Sequence, residues 1–103
     1  MLPTLTDEQR ANALEKAMAA RRARQELKAD IKAHRVTVDG ALAHEAAQRM
    51  RVKEFIQAFP GIGGCKAVKL MSDLGIAESR RVQGLGHRQR QGLSEALHET
   101  MGE

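Results

Sequence analysis

The sequence predicts an all-α chain, a long basic N-terminal helix followed by a compact helical domain. Three observations predict it. β-Branched residues are few, Ala, Leu, Glu, Lys, Arg and Gln dominate, and no alternating apolar–polar run reaches strand length. A chain of 103 residues is long enough for one domain with a modest core.

The first helix begins at Asp7. Thr6 and Gln9 are spaced as a capping box, and neither Gly nor Pro interrupts the chain from there to about Ala33. Its large apolar residues are only Leu14, Met18, Leu27 and Ile31, with alanine at many other positions. The buried stripe is therefore thin and broken between Met18 and Leu27, and part of the helix is expected to project into solvent. Arg21, Arg24, Lys28, Lys32 and Arg35 recur at three- or four-residue spacing, which aligns them along one side. That side reads equally as a track for a phosphate backbone or as a solvated face laced by pairs with Glu26 and Asp30.

Thr37 is placed to cap a short helix through Leu42 and Ala46, with Gly40 as an early interruption. A helix over about Val52–Phe59 carries Val52, Phe55, Ile56 and Phe59 at core spacing, and Pro60 stops it. Ala67, Val68, Leu70, Met71 and Leu74 give the next helix an apolar face that ends at Gly75. The last helix, from about His87 to Thr100, turns Leu93, Ala96 and Leu97 inward; its Glu95 and Glu99 lie towards the end where the helix dipole disfavours anions, and solvent exposure is expected there. The organisation is thus residues 1–35 as a basic helix and 36–103 as a helical domain.

Composition excludes more than it assigns. The single cysteine, Cys65, forbids an intramolecular disulfide and a multi-thiolate zinc site, and a reducing interior follows. His34, His44, His87 and His98 do not share metal-ligand spacing, so neither a metal nor a cofactor is expected. No stretch approaches a membrane span, and MLPTLTDEQR lacks the basic start and apolar run of a signal peptide, so a cytoplasmic protein is expected. Trp and Tyr are absent, and Phe55 and Phe59 belong to a core helix, which argues against stacking of unpaired bases.

The 17 Lys and Arg outnumber the 13 Asp and Glu, and the excess is localised. Residues 1–35 hold eight cations and five anions, residues 36–59 three of each, residues 60–92 six and two, and residues 93–103 three anions alone. The cationic stretch from Pro60 to Gln91 also holds two glycine turns. Pro60, Gly61, Ile62 and Gly63 form a tight turn that lets backbone approach a ligand, and Gly64, Lys66 and Lys69 follow on the first turns of a helix. Gly84-Leu85-Gly86 introduces a second helix with His87, Arg88 and Arg90, and Arg80-Arg81 stand between the two turns. Two helix starts amid six cations suit an extended polyanion better than one small phosphate ester.

The run from Phe59 through Ala67, the segment LGIAESRRVQGLGHRQR and the opening LTDEQRANALEKAMAARRARQELK together resemble the actinobacterial type of integration host factor, over almost the full chain. This small nucleoid-associated family is unrelated in fold to the two-stranded β-arm proteins that share its name. The resemblance implies a helix-two-turns-helix module at about residues 60–99, with duplex DNA bound and bent at little sequence preference, the nucleoid compacted and phage integrases or other recombinases assisted. A monomer in solution is expected. Carried onto this chain, Gly61 and Gly63 correspond to the backbone–phosphate contact, and Arg80 and Arg81 to the basic pair before the second turn; Gly86, His87, Arg88 and the arm residues Arg21, Arg24 and Lys28 complete the expected DNA-binding set. The family often has lysine where this chain has Gly64 and arginine where it has Gln83, so two phosphate contacts are weakened or lost.

Plainer readings stand beside these. The four glycines satisfy turn geometry alone, Cys65 is a small first-turn residue, and His87 is a solvated histidine. Arg80-Arg81 differ, because two adjacent loop cations gain little from proximity unless an anion sits there. Two other function classes use the same module. DNA glycosylases do, but with an N-terminal proline amine as nucleophile, whereas Pro3 is internal here and Leu2 discourages methionine removal, so no catalytic residue is assigned. A small-subunit ribosomal protein family does too, which makes an RNA or ribosome-associated adaptor the alternative function, although this chain ends in Glu95, Glu99 and Glu103 instead of a basic tail.

Overall fold

A computed structural model describes residues 6–101; Leu2, Pro3 and Glu103, invoked above, lie outside the described residues. Five α-helices follow in order, α1 (Asp7–Lys32), α2 (Val38–Ala43), α3 (Val52–Gln57), α4 (Gly64–Asp73) and α5 (His87–Met101), with 3₁₀ turns at Glu45–Ala47 and Val82–Gly84. The all-α expectation holds.

The α1 helix starts at the anticipated capping box: the Gln9 N–H donates to Thr6 Oγ1 at 3.1 Å and the Thr6 N–H to Gln9 Oε1 at 3.0 Å. At about 1.5 Å per residue its 26 residues span about 39 Å. Residues 7–22 are exposed throughout, and only Leu27 and Ile31 of this helix are buried. Leu14 and Met18 stay 62% and 49% exposed, so their apolar surface is left uncovered by the described residues. The helix ends at His34, which takes φ +58°. The His34 N–H donates to the Ile31 carbonyl and the Arg35 N–H to the Asp30 carbonyl, the paired bonds that close a helix through a left-handed residue. Arg35 Nε also meets Asp30 Oδ1 at 2.8 Å.

The second helix is shorter than expected. Thr37 caps it through the Gly40 N–H, and Gly40 does not interrupt it; a Cβ there would come within 2.9 Å of Thr37 Oγ1, so the glycine makes room for the cap. The expected continuation to Ala46 breaks at His44, whose backbone is extended and whose Nδ1 accepts the Ala46 N–H to start a 3₁₀ turn. The carbonyls exposed by that break are taken by the Gln48 side-chain amide, which donates to Leu42 and His44. The third helix likewise stops at Gln57, two residues short of Phe59, and Phe59 packs edge-on against Phe55 with ring centroids 5.3 Å apart.

One core unites these elements. Leu27 and Ile31 meet Val38, Leu42, Met50, Phe55, Ile56, Met71, Val82, Leu93 and Leu97 in it. Of the apolar face expected on α4, Ala67 and Met71 are buried, Leu70 and Leu74 are half-buried, and Val68 is 37% exposed. On α5, Leu93 and Leu97 are buried and Ala96 only half-buried. The α2 and α5 helices pack together, and across their edge Asp39 accepts from Ser94 Oγ and lies 3.3 Å from His98 Nε2. These bonds hold the Asp39 carboxyl below the ordinary value of 3.8.

Two measurements check this account. His34→Gly relieves a left-handed side chain and is expected to raise stability by about 0.5–1 kcal/mol in urea titration, once glycine's larger unfolded-state entropy is offset. Because the Asp39 pKa is depressed by folding, its contribution is present above pH 3.8 and fades as the pH falls through the folded value. Asp39→Asn is therefore expected to lower the melting temperature at pH 7, with the difference from the wild type shrinking towards pH 3.

Candidate nucleic-acid interface

The turn before α4 follows from its sequence. Pro60 and Gly61 cannot extend α3; Gly61 adopts φ +81°, and Ile62 inserts into the core with its N–H bonded to the Phe59 carbonyl. Gly63 then sits at the N-cap in extended backbone with no side-chain cap, so α4 presents its first N–H groups without a side-chain acceptor. Nothing lies within 4 Å of a Cβ placed on Gly61 or Gly63, so these glycines leave open space. Lys66 and Lys69 are exposed on the following turns. Gly64 is half-buried, and a side chain there would touch only the Gln57 amide, at 3.4 Å. Cys65 is exposed beside Gly64.

The second turn is built differently from the first. Of Gly61, Gly63, Gly84 and Gly86, only Gly61 has positive φ; the other left-handed glycine is Gly75 at +69°, closing α4. Gly84 instead lies under Arg80, whose Nη1 donates to its carbonyl at 3.1 Å, and a Cβ on Gly84 would come within 3.1 Å of Arg80 Cδ. The Gly86 N–H donates to Gln89 Oε1, and Gln89 Nε2 reaches the Gly75 carbonyl at 3.0 Å. One glutamine thus ties the end of α4 to the start of α5. The connection between the helices runs from residue 74 to 86, thirteen residues.

Backbone pairing closes the module onto the preceding segment. The Val52 N–H donates to the Arg80 carbonyl, the Val82 N–H to the Met50 carbonyl and the Gln83 N–H to the Gln48 carbonyl. Arg51 and Arg81 become bridge partners, and Arg81 Nη1 donates to the Arg49 carbonyl. The Arg80-Arg81 pair is therefore not without internal partners, as its sequence setting implied: both side chains hold backbone carbonyls while remaining exposed. Arg49 and Arg51, absent from the sequence-based set, are exposed around buried Met50. A signal that could have found them is the Arg-Met-Arg-Val alternation of charged and apolar residues.

Other cations divide by role. Arg90 is half-buried and donates to the carbonyls of Leu42 at 3.2 Å and Val82 at 3.1 Å, tying α5 to the end of α2 and to the second 3₁₀ turn. Lys28 pairs with Glu54 at 2.5 Å and ties α1 to α3. Arg21 is exposed with no ion pair among the described residues, while Arg24 enters a cleft of about 570 Å³ between α1 and the body, shared with Ala20, Ala23, Glu45, Arg49 and Gln83. The expected lacing by Glu26 is not found; Asp30 pairs with Arg35. His87 and Arg88 are exposed at the start of α5, His87 facing a groove with Asp39 and Ser94. Ser94, Asp39 and His98 do not form a nucleophile relay, since the serine hydroxyl donates to the carboxylate. Among the described residues no cluster of His, Cys, Asp and Glu is placed to hold a metal ion, and no helix is long and apolar enough to cross a membrane.

Residues 27–97 match the family model of the S13-like H2TH domain. Over 103 aligned residues the chain is 46% identical to the integration host factor of Mycolicibacterium smegmatis, covering 96% of this chain and 98% of that protein. It is 48% identical to the integration host factor of Mycobacterium tuberculosis, with 91% and 93% covered, and 45% identical to that of Streptomyces coelicolor, with 85% and 86% covered. The chain belongs to the actinobacterial integration host factor family. Its fold agrees: it superposes with a TM-score of 0.72 and 36% identity on a solved structure of sIHF bound to an 8bp palindromic DNA, covering 81% of this chain and 98% of that one. Membership of this family sets the chain apart from the enzymes that share the two-turn outline.

The division of cations is testable by stability alone. Arg90→Met leaves the Leu42 carbonyl to Gln48 and strips the side-chain donor from the Val82 carbonyl; it is expected to cost about 1–3 kcal/mol in urea unfolding. Lys66→Ala with Lys69→Ala is expected to change stability by less than about 0.5 kcal/mol.

Proposed function

We propose that this protein is an architectural, largely sequence-non-specific duplex-DNA-binding and bending protein that compacts the nucleoid and assists site-specific recombination. The observation that carries the reading is the likeness, over 81% of this chain, to a relative solved on DNA. The exposed features of the module support it. The uncapped start of α4 behind Gly61 and Gly63, with Lys66 and Lys69 on its surface, offers N–H groups and charge to one stretch of phosphates. Arg80, Arg81, Gly86, His87 and Arg88 border the second turn and offer contacts to a neighbouring stretch.

In this reading residues 1–35 act as a basic arm and residues 36–103 as the gripping domain, in a monomer that works in the cytoplasm on the nucleoid. Arg21 and Arg24 of the arm engage further backbone, so that a curved duplex satisfies both parts at once. Lys28 adds less than those two, because Glu54 already neutralises it. Recruitment of a phage integrase or other recombinase would follow from the bent DNA or from the projecting helix. The S13-like description of the matching domain keeps an RNA-binding reading in view, and the relative solved on DNA favours the DNA reading over it.

Anisotropy of a labelled random-sequence duplex of about 20 base pairs is expected to give a log–log salt slope of about −4 to −6, if five or six phosphates are neutralised, with little difference among sequences and weaker binding to duplex RNA. No binding at low salt, or a preference for RNA, would sink the proposal. Gly64→Lys and Gln83→Arg restore the two basic positions that the family resemblance marks as lost, and each is expected to steepen the slope by about one unit. In a doubly labelled duplex, Arg21→Ala with Arg24→Ala is expected to reduce the bend; an unchanged bend and affinity would remove the arm from the mechanism.

A further inference from the structure

The pairing between residues 48–52 and 80–83 has an electrostatic cost. The bonds flanking the bridge run from the Val52 N–H to the Arg80 carbonyl and from the Val82 N–H to the Met50 carbonyl. Arg51 and Arg81 thus face each other without exchanging hydrogen bonds, the register in which opposed Cα atoms approach to about 4.5 Å and side chains lie closest. Their side chains leave the same face, and like charges placed directly opposite one another repel. Both residues are exposed, and among the described residues no ion pair brings a carboxylate to either.

The arrangement continues beyond that pair. The Arg81 guanidinium crosses to the Arg49 carbonyl, which holds it in place by one donor and leaves the rest of its planar fork for another acceptor. Arg49 is itself exposed at the lip of the cleft that contains Arg24 and Gln83. Three arginines are gathered by main-chain hydrogen bonds, and they link the module to the base of the projecting helix. Repulsion opposes this gathering and a bound anion favours it.

We infer that Arg49, Arg51 and Arg81 form a phosphodiester-binding site on the closing edge of the module, to which Arg49 and Arg51 contribute at least as much as Lys66 and Lys69 of the first turn. Guanidinium forks match phosphate oxygens bidentately, and fixed main-chain positions reduce the side-chain freedom lost on binding. Adjacent arginines on paired segments suit successive phosphates of one strand better than an isolated small anion. The identity of the polyanion rests on the DNA reading above; the anion site itself stands on the pairing geometry.

The test compares Arg49→Gln/Arg51→Gln with Lys66→Gln/Lys69→Gln by duplex anisotropy over a salt series and by thermal unfolding without DNA. Only main-chain atoms of residues 49–51 hold the pairing, so the arginine variant keeps its fold. It is expected to lose about two units of salt slope and at least about tenfold in affinity, as much as the lysine variant or more. Its melting temperature in low salt is expected to rise by about 1–3 °C as repulsion is relieved. Sulfate, compared with chloride at equal ionic strength, is expected to stabilise the wild type more than the arginine variant. Wild-type affinity in that variant, or a lower melting temperature with an unchanged sulfate response, would overturn the inference. If the wild type itself fails to bind duplex DNA, the DNA reading fails, and the sulfate comparison alone decides whether the anion site exists.

Discussion

The backbone pairing of residues 48–52 with residues 80–83 is the constraint on which the rest of the molecule depends. Three main-chain hydrogen bonds clamp the long connection between α4 and α5 onto the segment that leads into α3. With that connection fixed, Val82 is buried in the core and its carbonyl is set to receive Arg90. Arg90 in turn reaches the Leu42 carbonyl, so one side chain locks α5 against both the end of α2 and the second turn. A loop of thirteen residues is tolerated because its polar backbone finds partners at both ends, through this pairing and through the Gln89 link to Gly75.

The same constraint sorts the positive charge. Arg90 and Lys28 serve packing, one by satisfying carbonyls at element ends and the other by joining α1 to α3. Arg80 and Arg81 do two things at once, holding backbone carbonyls while exposing the remainder of their guanidinium groups. Lys66, Lys69, Arg88 and Arg21 do no structural work of this kind and stay exposed. A protein with modest net charge thereby concentrates cations at two places, the uncapped start of α4 and the paired segments around the bridge. Attraction for an extended anion follows from that concentration more than from the total charge.

The long α1 helix shows how little burial is needed to anchor an arm. Leu27 and Ile31 in its last turns enter the core, and two hydrogen bonds around His34 fix where it ends. The preceding four turns depend on a capping box and on alanine-rich helical propensity, with Leu14 and Met18 left in solvent. The cleft between that arm and the body brings Arg24 to the same lip as Arg49. The arm's cations are therefore continuous with those of the module, although more than twenty residues separate them in sequence.

Much of this was legible from local sequence. Helix propensity, the Thr6 and Thr37 caps and the stop at Gly75 depend on residues close together in the chain, so the helical class, the start of α1 and the module's outline followed from the sequence alone. The breaks at His44 and Gln57 did not, because Gln48 takes the carbonyls freed at the first, and at the second the Ala58 and Phe59 N–H groups turn to the Phe55 and Ile56 carbonyls while Phe59 packs on Phe55. Glycine identity marked turns but not their dihedral angles, and only tertiary packing separated left-handed Gly61 from Gly84, which lies beneath a folded arginine. Charge spacing located the basic segments without showing which cations would be consumed by carbonyls and carboxylates. That division depends in large part on residues 26 to 48 positions apart, as in Lys28 with Glu54, Arg81 with Arg49 and Arg90 with Leu42, and distance along the chain carries no signal for such contacts.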